Sequence, residues 1–167
     1  MNAFERHGID HLSASSLHLF AAEPALWVVA KLLKRPIPGG LAAQRGKAIE
    51  RGVELGLFDP TLAVAHCQQA ADAEFDALTA FAPPAERAKA REVIAPTVAA
   101  AIAELRPYGI PTAPAEGARQ HRIEIRLPEI PVPLLGYLDF LFDAHGIVVD
   151  LKTSTRVPAE ISPAHAL

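Results

Sequence analysis

The sequence predicts an α/β protein in which helices come first and strands follow. Three observations point there: apolar residues recur at helical spacing through residues 13–105, a Pro/Gly-rich connector occupies residues 107–117, and beyond it the pattern changes to alternation. At 167 residues, half of them apolar and 21% charged, the chain has the size and composition of one globular domain with a buried core.

Taken in order, residues 13–33 read as a capped helix. Ser13 or Ser15 can accept a backbone N–H at its start, Leu17, Phe20, Trp27 and Val28 supply an apolar side, and Pro24 kinks or divides it. Arg35 to Gly40, with two prolines and a glycine pair, breaks the chain. Residues 41–57 form the next helix, with Ile49, Val53 and Leu57 on one side and Gly46 and Glu50 together on another face. Asp59-Pro60 is a cap and first-turn pair, so a third helix is expected from there to about Phe81. Pro83-Pro84 ends it, and a fourth spans about residues 85–105 with a kink at Pro96. Strands are expected at residues 119–127, 134–142 and 147–153, the last two joined by a turn at Asp143 to Gly146. Residues 158–167 begin like a further helix.

Charge and targeting signals narrow the function classes. The net charge of −3 argues against a protein that coats nucleic acid nonspecifically. A local basic run holds Lys31, Lys34, Arg35, Arg45, Lys47 and Arg51 against the single acid Glu50; alone it reads as a solvated face. The start lacks a signal or transit pattern, and no apolar run is long enough to span a bilayer, so a cytoplasmic protein with no membrane partner is expected. The single cysteine, Cys67, reads as a buried small side chain. The histidines read as surface or structural residues and the serines as caps, with no G-x-S-x-G elbow or Gly-rich phosphate loop around them.

The expected hairpin carries the chemistry. A two-residue turn between Asp143 and Gly146 sets Asp139 directly opposite Asp150 within strands otherwise made of Leu, Phe, Val and Ile. Like charges so placed repel and require compensation. Period-two alternation adds Lys152 to the face of Asp150. A hard divalent cation, Mg²⁺ or Mn²⁺, is the simplest group to sit between such carboxylates, and with Lys152 it makes equipment for phosphodiester hydrolysis. The alternatives are a surface ion-pair ladder for Asp150 and Lys152, and an exposed Glu50 paired with Arg51, Lys47 or Arg45. Gly46, one turn before Glu50, favours a helix that comes close to the sheet.

G-Y-L-D at 136–139 followed by V-V-D-L-K-T at 148–153 resembles motifs II and III of the RecB-like exonuclease branch of the PD-(D/E)XK nuclease superfamily. R-G-K-A-I-E at 45–50 resembles that branch's G-x-x-x-(H/E) helix motif, and L-S-A-S-S-L-H-L-F resembles its N-terminal helix start. The resemblance implies a restriction-endonuclease-like core with a flanking motif helix, a mixed sheet and a helical insertion at about 59–105. It implies Asp139, Asp150 and Lys152 as the catalytic centre. Glu50, Asp139, Asp150 and the backbone carbonyl of Leu151 would hold Mg²⁺ or Mn²⁺, and Arg45, Lys47, Arg51, Lys34 and Arg35 would meet DNA. The activity implied is exonucleolytic DNA cleavage of recombination, repair or phage type; a catalytically inactive DNA-binding or assembly module and an interaction scaffold are the rival readings. Glu23-Pro24 stands where some relatives carry a cluster-binding cysteine, so no iron–sulfur cluster is expected. Relatives continue after the D-x-K strand into a further helix and strand, so a fragment or an early stop is expected here, leaving a sheet edge or face uncovered unless a protein partner or second copy covers it.

Overall fold

The computed structural model describes residues 2–35, 39–116 and 118–153. Its elements in chain order are α1 (Ala3–Arg6), β1 (Leu12–Ser13), α2 (Ala14–Ala22), α3 (Pro24–Trp27), a π-helical turn (Val28–Leu32), α4 (Leu41–Phe58), α5 (Val64–Leu78), α6 (Pro84–Arg91), α7 (Ile94–Leu105), β2 (His121–Ile125), β3 (Leu134–Leu138), β4 (Phe140–Phe142) and β5 (Ile147–Val149). Helix and strand are thus both present, as the pattern predicts, and no helix among the described residues is long and apolar enough to cross a membrane. The expected helix at residues 158–167 and residues 36–38 of the Arg35 to Gly40 break lie outside the described residues.

The described residues fall into two compact units. In the first, residues 2–35 and 122–138, the sheet runs in the order β1-β3-β2, with β1 parallel to β3. The helix expected at 13–33 is divided. Ser13 caps α2 by accepting the Ser16 N–H at 3.2 Å, and the chain breaks at Glu23 because Pro24 starts α3. Trp27 then donates its indole N–H to the buried Ser16 hydroxyl at 2.9 Å and sets its ring edge-on to Phe20. Those contacts fix the angle of the break.

The second unit, residues 39–121 and 139–153 as far as they are described, is organised on α4. Ile49, Val53 and Leu57 are fully buried, together with Cys67, Ala71 and Phe75 of α5, Ile94, Val98 and Ile102 of α7, and Phe140 and Phe142 of β4. Each of the Val, Leu, Ile and Phe side chains among them contributes about 1.5–3 kcal/mol of apolar burial. The residues expected as an insertion at 59–105 therefore supply much of this core. Close approach depends on two glycines. A Cβ on Gly52 would stand 2.8 Å from the Cys67 carbonyl oxygen and 2.9 Å from Ala71 Cβ, and one on Gly56 would run into Ile102. The Arg106 guanidinium donates to the Gly56 carbonyl at 3.3 Å and the Leu62 carbonyl at 3.0 Å, satisfying an orphan acceptor at the end of α4.

Other boundaries move for identifiable reasons. Asp59 does not cap α5: its carboxylate accepts the Thr61 N–H at 3.0 Å and the Thr61 hydroxyl, making a turn, and α5 starts at Val64. The fourth expected helix breaks at Glu92-Val93 rather than at Pro96, which falls in the first turn of α7 where its missing N–H costs nothing. The strand expected at 134–142 is interrupted at Asp139, with β3 and β4 in different sheets, so two small sheets replace the single mixed one. The strand expected at 147–153 ends at Val149. The hairpin register is as the turn predicts: Phe140 faces Val149 and Phe142 faces Ile147, with Gly146 left-handed at φ 61°.

Gly52→Ala weighs two opposed effects. Alanine gains about 1 kcal/mol of helix propensity, but a methyl against a backbone carbonyl that cannot rotate away costs about 1–3 kcal/mol or more of overpacking. The net expectation is a destabilised chain, read as a lower urea midpoint with an unchanged slope. A midpoint at or above that of the parent contradicts the close-packing account.

Candidate active site

Glu50 lies on α4 at the border of its buried stripe, next to Ile49, so its stem is fixed by core packing while its carboxylate emerges half-buried. Asp139 lies where the chain leaves β3 and enters β4, free of ladder pairing. One side chain joins them. Gln120 Nε2 donates to Glu50 Oε1 at 2.9 Å and to Asp139 Oδ1 at 2.7 Å. The other oxygen of Asp139, Oδ2, accepts the backbone N–H of Leu151 at 2.7 Å. That bond ties Asp139 across to the strand end that carries Asp150 and Lys152.

The electrostatics follow from this crowding. Burial raises the pKa of the Glu50 carboxyl above the ordinary value, the neighbouring Asp139 pushes it the same way, and the Gln120 hydrogen bond opposes them. Asp139 is also raised, first by burial and also by Asp150, against the pull of the Leu151 N–H and Lys152. Asp150 and Lys152 pair with each other at 2.7 Å, with side chains 54% and 60% exposed, and both lie close enough to Asp139 to act on its carboxyl. An exposed pair of this kind contributes about 0–1 kcal/mol.

Five of the residues singled out from the sequence, Glu50, Asp139, Asp150, Leu151 and Lys152, therefore belong to one locality of the second unit. Glu50 meets Asp139 and Asp139 meets Asp150, and among the described residues no group of three or more His, Cys, Asp or Glu is gathered to hold a metal ion. The donor chemistry that does converge is all hard oxygen. Of the basic residues, Arg45 donates to the Thr153 carbonyl at 3.2 Å, while its Nε is buried without a partner among the described residues. Lys47 is exposed. Arg51 is engaged by Glu54 at 2.9 Å, so it does not pair with Glu50. Lys34 and Arg35 belong to the first unit, where Lys34 Nζ donates to the Gly8 carbonyl at 2.8 Å. The space left by Gly46 is used: a Cβ there would stand 3.3 Å from Thr153 Oγ1.

Gln120 is the site residue that sequence reasoning missed. It stands just before β2 with no motif around it, and only its distance from Asp139 in the fold reveals it. Comparison with known proteins adds no relative: no family model matches the chain, nor does any curated protein or solved structure.

Because Glu50 is desolvated beside a like charge, Glu50→Gln is expected to stabilise the metal-free chain. The neutral amide oxygen still accepts from Gln120 while the repulsion with Asp139 is removed. Thermal unfolding in EDTA is expected to show a melting temperature higher by a few degrees, the scale on which about 1 kcal/mol moves a chain of this size. A lower melting temperature would mean that the carboxylate serves packing rather than a site.

Proposed function

We propose that this chain is a Mg²⁺- or Mn²⁺-dependent deoxyribonuclease with a restriction-endonuclease-like core, of the RecB-like exonuclease type. The observation that carries the proposal is the convergence of Glu50 and Asp139 on one amide nitrogen, with Asp150 and Lys152 on the strand end that Asp139 grips through Leu151. Those four side chains are the ones the motif resemblance assigns, and they come from a helix, a strand break and a strand end far apart in sequence. The two carboxylates are half-buried, and Arg119 near Glu50 and Lys152 near Asp139 offset only part of what burial and like charge cost them; a divalent cation would supply further counter-charge.

When bound, such a cation acidifies a water and polarises a phosphoryl oxygen. The chain's own residues have distinct parts in this scheme. Glu50 and Asp139 would hold the cation through oxygen donors on rigid elements. Asp150 would add its carboxylate to the cation, and Lys152, its ion-pair partner at 2.7 Å, would set its ammonium against the charge that develops on the phosphate. The N–H of Leu151 keeps Asp139 oriented. Arg45 and Lys47, on the same helix as Glu50, offer positive charge to the phosphates alongside.

The closed Asp150–Lys152 ion pair favours one second reading, a DNA-binding or assembly module without catalysis. Digestion of end-labelled linear and circular DNA with Mg²⁺, Mn²⁺ or EDTA separates the two. The nuclease reading expects metal-dependent release of nucleotides, reduced at least about 100-fold in Asp150→Ala and in Lys152→Ala with the fold retained. Cleavage that survives either substitution overturns the assigned chemistry; a gel shift by a folded chain that cleaves nothing selects the binding module.

A further inference from the structure

Gln120 stands at hydrogen-bond distance from both carboxylates, a spacing that ligands on one cation also require. With metal–oxygen bonds of about 2.1 Å, two oxygens on neighbouring corners of a Mg²⁺ or Mn²⁺ octahedron stand about 3 Å apart. The inward atom of Gln120 lies 2.9 Å from Glu50 Oε1 and 2.7 Å from Asp139 Oδ1, so it already has that spacing to both carboxylates. Without a cation, nitrogen must face inward, because an amide oxygen there would meet two anionic oxygens. With a cation, oxygen must face inward instead. A half-turn about the terminal torsion exchanges the two atoms, and that sp³–sp² bond has a broad, roughly two-fold profile. The backbone need not move. It is also anchored: the ring of the adjacent His121 bonds the Thr112 carbonyl at 2.7 Å, and Thr112 N–H donates to Leu141 of β4 at 2.7 Å.

We propose that Gln120 is a metal ligand of this site, its amide donating N–H to Glu50 and Asp139 when the site is empty and turning its oxygen to the cation when it fills. The proposal rests on the metal-site reading above. It gives that site a neutral oxygen donor drawn from the chain, beside the carboxylates of Glu50 and Asp139. The glutamine thereby lowers the repulsion between the carboxylates in one state and completes their coordination in the other, without the cost of adding a further charge.

Calorimetric titration of the full chain with Mn²⁺ tests this, comparing the parent with Gln120→Leu, Gln120→Glu and Asp139→Asn, each checked for folding by circular dichroism. Loss of a ligand in Gln120→Leu is expected to weaken Mn²⁺ binding about 10-fold or more. In Gln120→Glu an anionic oxygen takes the same place, and binding is expected to be retained or tightened. Equal or tighter binding by Gln120→Leu would show the amide to be only a place-holder and overturn the proposal, as would clearly weakened binding by Gln120→Glu. The underlying metal-site reading fails separately, if the parent binds no Mn²⁺ or if Asp139→Asn binds it as well as the parent.

Discussion

Two half-buried carboxylates that share one amide nitrogen repel each other, and the second unit is built to hold them together nonetheless. Glu50 cannot retreat, because Ile49 and Val53 on either side of it along α4 are fully buried and rotation of the helix would lift them out of the core. At about 1.5–3 kcal/mol for each buried apolar side chain, that packing outweighs the electrostatic push. Asp139 is restrained by Leu151 and by the hairpin, whose Phe140 and Phe142 lie in the same core. The repulsion is a local cost carried by cooperative packing.

That constraint explains why α4 needs glycines. Gly52 and Gly56 let α5 and α7 approach its back, while Gly46 leaves room at the front for Thr153. The helix is thus closely packed on the core side and near the strand end on the other, and Glu50 emerges between. Around this centre the positive charges are unevenly disposed. Arg51 is neutralised by Glu54 and Arg45 is drawn onto the Thr153 carbonyl, which leaves Lys47 as the exposed cation of that helix turn.

Much of this is legible in the sequence. The span of α4 and its buried face follow from the spacing of Ile49, Val53 and Leu57, and the hairpin register follows from the turn at Asp143 to Gly146, because a turn of fixed length leaves one pairing open. The closeness of Asp139 and Asp150 came with that register. What escaped the sequence depends on tertiary contact. The break at Asp139 appears in no local propensity, since Leu138 and Phe140 on either side suit a continuous strand. Asp59 reads as a helix cap, yet its hydrogen bonds are spent within a turn. Gln120 carries no periodic or motif signal, and its importance is visible only as two distances.

The central claim is that Glu50 and Asp139 are arranged for a cation, and thermal unfolding in a Mn²⁺ series tests it most directly. A cation bound to the native chain raises the melting temperature by mass action, climbing with the logarithm of its concentration once the site is filled. The account predicts that rise in the parent chain and its disappearance when Glu50→Gln and Asp139→Asn are combined. A melting temperature indifferent to Mn²⁺ up to millimolar concentration, or a rise of equal size in the double variant, would contradict it.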